Sequence, residues 1–208
     1  MNYRVWMLVL WWLPAWAAAS PCSLLIVGDS LSSGFGLATG ASWVDRLGAR
    51  LEKRTPDWHV VNASVSGDTT QNGLQRLQPA LDRHHPQGVL IELGGNDALR
   101  GTPPGVIRQN LVTMIRQAKA SGAWVVLLEA PVLPNYGKPY AEAVAKQYVD
   151  VAREEKIVRV PCFVCGVGVV PGMMQADGIH PNEKAQGWVL DAVWPFIKPK
   201  LRCPAKRP

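Results

Sequence analysis

The feature that most constrains the fold is a repeated pattern, in which a short apolar run is followed by a longer amphipathic segment. The five apolar runs lie at residues 24–27, 59–65, 89–93, 124–128 and 157–163. Continuous apolar runs of this length predict parallel strands buried on both faces, and the segments between them predict crossover helices. The sequence therefore predicts an α/β protein with a five-stranded parallel sheet that is covered by helices on both faces.

Capping and breaking residues mark the helix ends. Ser42 is a suitable N-cap for a helix to about residue 54, and Thr102 with two prolines begins a helix that ends before Gly122. Further helices are predicted before Pro86, at about 140–156 and at about 183–197. Apolar side chains on or near the inner faces of the first three helices are Val44, Leu47, Leu51, Leu74, Leu77, Leu81, Val106, Leu111, Met114 and Ile115.

The N-terminal segment does not fit this pattern. Arg4 precedes an apolar run at 5–16, and three alanines follow at 17–19. This order is typical of a secretory signal peptide, and the run is short for a membrane span. We expect a signal peptide at 1–19, one domain at 20–200 and a basic tail at 201–208, in a periplasmic or secreted protein. A retained anchor is the alternative, because Trp11, Trp12 and Trp16 are bulky for a signal core and could lie at a membrane interface, whereas Pro21 disfavours lipidation of Cys22.

The net charge of +6 does not indicate a nucleic-acid-binding surface. Arg4 and five basic residues after position 197 account for the whole excess, so residues 20–197 carry equal numbers of basic and acidic side chains. The tail is expected to be solvated, and weak attraction to anionic lipid headgroups is the alternative. No obligate protein partner is evident.

Four cysteines remain after the expected cleavage, and export would place them in an oxidising compartment. Of the three connectivities, we favour Cys162 with Cys165 and Cys22 with Cys203, because the last two flank the domain. A redox-active C-x-x-C motif normally opens a helix, but this one leads from a strand into a glycine-rich segment, which disfavours redox catalysis.

Chemically capable residues follow the predicted strands. Gly28-Asp-Ser-Leu31, Ser66-Gly-Asp68 and Gly94-Gly-Asn-Asp97 come directly after the first three, and Asp177-Gly-Ile-His180 lies after the fifth. The carboxyl ends of parallel strands share one edge of the sheet, so these blocks are expected to meet there.

These blocks contain the residue types of a nucleophilic hydrolase. A serine hydroxyl needs an imidazole to take its proton, and the imidazole needs a carboxylate to fix its tautomer. We assign these roles to Ser30, His180 and Asp177. The oxyanion of the tetrahedral intermediate would be bound by the backbone N–H groups of Ser30 and Gly67 and by the Asn96 side-chain amide. We expect the neighbouring aspartates to brace loops rather than react: Asp29, Asp68 and Asp97.

In order, these four blocks resemble the sequence blocks of SGNH (GDSL) hydrolases. Within that family, Ile91-Glu-Leu-Gly-Gly-Asn-Asp97 and the segment 172–181 are similar to the bacterial periplasmic acyl-CoA thioesterase, lysophospholipase and arylesterase group. The resemblance implies a flavodoxin-like three-layer α/β/α fold, no metal or other cofactor, and an acyl groove beside the triad. Asn135 and Tyr136, in a loop flanked by prolines, would lie in the wall of that groove. The paired Cys162 and Cys165 and the basic tail depart from the group.

The function expected from these residues is hydrolysis of esters and thioesters, such as aryl esters, lysophospholipids and acyl thioesters, through an acyl-enzyme. The partner is then a small-molecule ester or lipid. Two alternatives remain, an O-deacetylase of carbohydrate or peptidoglycan and a catalytically silent acyl binder. Chain-length preference separates the first from a lipid-directed esterase, and binding without turnover identifies the second.

Overall fold

All five strands of the computed structural model run parallel, in the order β2-β1-β3-β4-β5. The structure describes residues 21–132 and 136–203, so the expected signal peptide, Asn135 and the last five residues lie outside it. The strands are β1 Cys22–Gly28, β2 Trp58–Asn62, β3 Gly88–Glu92, β4 Trp124–Leu128 and β5 Val158–Val160. The predicted five-stranded parallel sheet is therefore confirmed.

Helices cover both faces of this sheet. They are α1 Ser30–Ser33, α2 Trp43–Arg54, α3 Thr70–His84, α4 Gly95–Leu99, α5 Pro104–Ala120, α6 Lys138–Glu154, α7 Cys165–Gly168 and α8 Gln186–Ile197. A 3₁₀ turn precedes α8 at Glu183–Ala185 and another follows it at Lys198–Lys200. No helix within the described ranges is both long and apolar enough to cross a membrane.

Successive residues of β1 divide the core into two layers. Leu24 and Ile26 pack with the buried faces of α2 and α8, whereas Leu25 and Val27 pack with those of α3, α5 and α6. All four side chains are at most 1% exposed, because adjacent residues of a strand point to opposite faces and both faces are covered. Full burial of such a side chain contributes about 1.5–3 kcal/mol. This is the three-layer α/β/α arrangement expected from the resemblance.

Two predicted strands are shorter in the structure. The run at 59–65 is a regular strand only to Asn62, whose side-chain oxygen accepts from the Ser64 N–H, although the N–H groups of Ala63 and Val65 still donate to the Ile26 and Gly28 carbonyls beside them. The run at 157–163 is a strand only over Val158–Val160, because Pro161 has no N–H to donate and the Cys165 N–H then bonds to the Cys162 carbonyl.

One predicted core position is wrong. Val106 is 44% exposed, and the buried residue at the start of α5 is Ile107. The apolar stripe of this helix continues from Ile107 through Leu111, Met114 and Ile115 at the spacing of one helical face, and Val106 lies off that face.

The structure contains two disulfides, Cys22–Cys203 and Cys162–Cys165, the pairing favoured by the sequence. Cys22 begins β1, so its bond ties the C-terminal segment to the amino end of the sheet. Leu201 is only 8% exposed. Residues 201–203 therefore belong to the folded unit, although the tail was expected to begin at residue 201.

Candidate active site

Ser30 is the first residue of α1, immediately beyond the carboxyl end of β1. The helix is only four residues long, and Asp29 caps it by accepting a hydrogen bond from the Leu31 N–H at 3.0 Å. A short polar side chain at this position satisfies backbone donors that the first turn leaves free. The cap therefore fixes the turn that presents Ser30.

His180 joins Ser30 to Asp177. Its Nε2 atom lies 2.8 Å from Ser30 Oγ, and its Nδ1 atom lies 2.7 Å from Asp177 Oδ2. Ser30 and His180 are 150 residues apart in the chain, so the contact depends on the whole fold. The three side chains form one continuous hydrogen-bonded chain, the geometry in which a histidine takes the proton of a serine.

The turn between Asp177 and His180 orients the carboxylate. Its other oxygen, Oδ1, accepts from the backbone N–H groups of Ile179 at 2.9 Å and His180 at 3.0 Å. Gly178, which follows Asp177, has a φ of 68°. The hydrogen bonds from the His180 backbone and ring, followed by that from Ile179, lower the pKa of Asp177 to about 2. Asp177 is thus a carboxylate at neutral pH.

Phe35 contacts the imidazole from the side, with 4.8 Å between the ring centroids and a tilt of 46°. The Gln175 side-chain amide donates to the Phe35 carbonyl at 2.9 Å, which links this residue to the loop that carries His180. Phe35 could not be predicted from the sequence, because a single aromatic residue in a glycine-rich loop has no period or motif.

Asn96 is the second residue of α4, beyond the end of β3. Its Nδ2 atom donates to Asp29 Oδ2 and to the Asp68 carbonyl, both at 3.0 Å. An oxyanion would therefore have to share one of these two N–H donors with its present acceptor or replace that acceptor. The backbone N–H groups of Ser30 and Gly67 donate to no other described residue. Gly67 has a φ of 84°, which a residue with a side chain rarely adopts.

The three aspartates beside these groups act as braces. Asp29 holds both the Leu31 N–H and the Asn96 amide. Asp97 accepts from the N–H and the hydroxyl of Thr70 at 2.7 and 2.6 Å, and thereby ties α4 to α3. Asp68 pairs with Arg76, whose Nε lies 2.9 Å from its Oδ2.

A second carboxyl group lies buried beneath the nucleophile turn. Glu92, the last residue of β3, is fully buried, and its Oε2 accepts from the Asp29 N–H at 3.3 Å and from the Ser32 hydroxyl at 2.7 Å. Gly28 leaves room for it, since a Cβ there would lie 2.7 Å from Glu92 Oε2. Glu92 was not predicted as a site residue, although a single carboxyl group in an apolar strand was a usable signal.

Burial governs the protonation of this pair. Desolvation, followed by the charge of Asp29, raises the pKa of Glu92 well above its ordinary value, and desolvation raises the pKa of Asp29 to about 6. Burial therefore favours the neutral form of both carboxyl groups, and Glu92 is the one that is completely buried. Asp29, which donates its backbone N–H to Glu92, accepts from the Asn96 side-chain amide and so helps to orient it.

The triad opens into a cavity of about 460 Å³. Ser30, His180 and Asn96 line it on one side. The remaining lining is mostly apolar and includes Leu31, Leu99, Pro131, Val164, Val169 and Met174. Apolar walls with a few polar groups at one point suit a substrate that has an apolar chain attached to a reactive polar group.

Tyr136 is not among the residues that line this cavity. Its ring packs against Tyr140 instead, with 5.4 Å between the centroids, and is 54% exposed. From the segment after β4, Pro131 reaches the cavity. In the parts of the chain that the structure describes, no cluster of three or more His, Cys, Asp or Glu side chains is placed to hold a metal ion.

Comparison with known proteins gives a consistent result. The model of the GDSL-like Lipase/Acylhydrolase family matches residues 26–188. Esterase TesA of Pseudomonas aeruginosa is 51% identical over 183 residues, which cover 88% of this chain and 91% of that protein. An arylesterase of Vibrio mimicus is 43% identical and covers 91% of this chain and 95% of its own length. Thioesterase 1/protease 1/lysophospholipase L1 of Escherichia coli is 41% identical, over 88% of this chain and 86% of that protein.

Solved structures agree with these relatives. A crystal structure of TesA superposes with a TM-score of 0.82 at 51% identity and covers 86% of this chain and 99% of its own. The psychrotrophic esterase EstA from Pseudoalteromonas, inhibited by monoethylphosphonate, superposes with a TM-score of 0.82 at 34% identity, over 86% of this chain and 98% of its own.

Proposed function

Because this chain belongs to the GDSL-like lipase/acylhydrolase family, we propose that it hydrolyses carboxylic esters and thioesters, with Ser30 as the nucleophile. The observation that carries the proposal is the unbroken chain from Ser30 Oγ through both ring nitrogens of His180 to Asp177. The relatives named esterase, arylesterase and thioesterase/lysophospholipase support this reaction class.

The reaction proceeds in two acyl transfers. Ser30 Oγ attacks the carbonyl carbon while His180 Nε2 takes its proton, and collapse of the tetrahedral intermediate releases the alcohol or thiol, which receives that proton. Water then attacks the acyl-enzyme while His180 takes a proton from it, and His180 returns this proton to Ser30 Oγ as the bond to the acyl group breaks and the acid leaves. Asp177 holds the Nδ1 proton throughout and stabilises the imidazolium.

The tetrahedral oxygen is negative and needs donors. The backbone N–H groups of Ser30 and Gly67 are free to serve, and the Asn96 amide serves by exchanging one of its acceptors for the oxyanion. One such donor typically contributes about 10²–10³ in rate. Asn96 loses little in the exchange, because a charged acceptor forms a stronger hydrogen bond than the Asp68 carbonyl.

The cavity indicates the substrate class. Its walls are mainly aliphatic, so they favour the acyl or aryl part of a small ester or lipid and leave few partners for sugar hydroxyls. We therefore place lipid and aryl esters before the O-deacetylase alternative. Tyr136 has no part in this proposal.

The proposal includes export of the protein. The basic and apolar start of the chain matches a signal peptide, and the two disulfides would persist in the periplasm or outside the cell. Weak contact of the basic C-terminal segment with anionic lipid is compatible with this location.

The test is hydrolysis of p-nitrophenyl esters from acetate to palmitate by the mature protein, followed by palmitoyl-CoA and lysophosphatidylcholine. Medium or long chains should be hydrolysed, and Ser30→Ala should abolish turnover without changing the circular dichroism spectrum. Activity on acetate alone would favour the deacetylase. Binding without turnover would identify an acyl binder and contradict the proposal.

A further inference from the structure

One wall of the cavity is formed by the segment that follows β5. Within residues 162–169, here called the disulfide wall, the side of the cavity is made by Val164, Cys165, Gly168 and Val169. Phe163, Val164 and Val167 are at most 5% exposed and anchor the wall in the core beside α2 and α8. Val169, by contrast, is 82% exposed at the cavity.

The backbone of this wall has little intrinsic preference for its conformation. Its helix, α7, is four residues long, includes Gly166 and Gly168, and has no side-chain cap. A single helical turn is unfavourable to nucleate, and each glycine inside it adds a further entropic cost. Strand pairing does not fix the conformation of the wall either, since β5 ends at Val160 and Pro161 has no N–H to donate.

The Cys162–Cys165 disulfide supplies the missing constraint. It closes the turn directly before α7, and the Cys165 N–H bonds to the Cys162 carbonyl within the same ring at 3.2 Å. One of its two cysteines, Cys165, itself lines the cavity. The covalent ring thus contains the core anchor Phe163 and lies four residues before Val169 at the cavity surface.

From this arrangement we propose that the Cys162–Cys165 disulfide determines acyl-chain selectivity by holding the wall in a preformed surface for the distal part of the chain. The inference rests on the proposed ester hydrolysis and adds a determinant of specificity to it. Long acyl chains bind more tightly when the apolar wall is rigid, because they reach the wall and no free energy is needed to order it. Short acyl groups stay near Ser30, so their hydrolysis depends less on the wall.

The experiment compares kcat/KM for p-nitrophenyl palmitate and p-nitrophenyl butyrate in the wild type and in Cys162→Ser/Cys165→Ser. The ratio of palmitate to butyrate should fall about 10-fold, similar to the smallest discrimination that one methylene provides in an apolar pocket. An unchanged ratio in a folded variant would overturn the proposal.

The second disulfide offers a matched control. Cys22→Ser/Cys203→Ser also removes one bond, but at the amino end of the sheet, away from the cavity. Its loop spans 181 residues rather than 3, so its loss should lower the unfolding midpoint more. The control should nevertheless keep the wild-type ratio. An equal fall of the ratio in both variants would attribute the effect to lost stability and contradict the proposal.

A measurement on the folded wild type covers the case in which the cysteine variant does not fold. Tris(2-carboxyethyl)phosphine reduces a disulfide to two thiols and is oxidised to the phosphine oxide with oxygen from water. Cys165 is exposed and Cys22 is buried, so brief treatment should reduce the Cys162–Cys165 disulfide before the Cys22–Cys203 disulfide. Alkylation and peptide mapping can verify this order. The ratio of palmitate to butyrate hydrolysis should fall as the fraction of Cys162 and Cys165 present as thiols rises. A constant ratio would overturn the proposal. If the untreated enzyme hydrolyses no ester, the proposed function itself fails.

Discussion

Ser30 is held in place by residues that take no part in bond making. Asp29 caps the helix that begins at Ser30 and accepts a hydrogen bond from the Asn96 amide. Glu92 accepts hydrogen bonds from the Asp29 N–H and the Ser32 hydroxyl. Nucleophile and oxyanion donor are therefore connected through one buried carboxyl pair. Such pre-positioned dipoles need no reorganisation when charge develops on the substrate.

Glu92→Gln tests this pair through the dependence of stability on pH. Burial raises the pKa of Glu92 in the folded protein, so folding above the ordinary carboxyl range takes up a proton. The contribution of Glu92 to stability is complete below its unfolded pKa and is lost as pH rises through the folded pKa. Glutamine does not titrate. Relative to the wild type, Glu92→Gln should therefore gain stability as pH rises from about 4 to about 8.

The measurement is urea unfolding of both proteins across that pH range. Glu52→Gln, which removes a carboxyl group from the exposed side of α2, serves as the reference for loss of a titratable carboxyl group outside the site. A stability difference between Glu92→Gln and the wild type that does not change with pH would show that Glu92 is not protonated in the folded protein. Because glutamine retains an acceptor oxygen and adds a donor, turnover should be preserved.

At the scale of elements, the long helices could be predicted from sequence and the short ones could not. Ser42 and Thr69 cap α2 and α3 with capping boxes, and their apolar stripes repeat over three or more turns. Helices α1, α4 and α7 span four or five residues, too few to show a period, and they carry Ser30, Asn96 and the disulfide wall. The elements that matter most for chemistry are thus the least visible in the sequence.

Two helical glycines give a paired prediction about packing. In α3, a Cβ on Gly73 would lie 2.1 Å from Cδ1 of the fully buried Leu93, whereas a Cβ on Gly48 in α2 would meet nothing within 4 Å. Gly73→Ala should destabilise the protein by about 1–3 kcal/mol through overpacking. Gly48→Ala should stabilise it by about 0.5–1 kcal/mol, because alanine loses less entropy in a helix. Urea unfolding of both variants measures the difference. A stabilised Gly73→Ala would show that α3 does not pack closely on Leu93.

At the scale of the molecule, the sheet order explains where the site lies. β1 has β2 on one side and β3 on the other, so the chain reverses direction across the sheet at β1. Parallel sheets open a crevice at the carboxyl ends of such strands. Ser30 follows β1 and Asn96 follows β3, which places both at this crevice. This edge of the sheet could be predicted from the positions of the four blocks alone.

The features that could not be predicted from the sequence have physical causes. The observed strand ends differ from the predicted ones at two places. Beyond Asn62 the chain is no longer a regular strand, although Ala63 and Val65 still donate to β1, and β5 ends before Pro161, which has no N–H to donate. The contact of Phe35 with His180 and the burial of Glu92 beneath Ser32 depend on chain segments distant in sequence. The roles of Ser30, Asp177 and His180 could be inferred because their chemistry requires those residue types together.

The central claim, that Ser30 is the nucleophile, is tested most directly by trapping. A p-nitrophenyl alkylphosphonate should react with Ser30 Oγ, forming a P–O bond and releasing one p-nitrophenolate per protein, and peptide mass spectrometry should place the adduct on Ser30. Ser30→Ala should remain unlabelled with its fold intact. An adduct on another residue, or an active enzyme that stays unlabelled, would contradict the account.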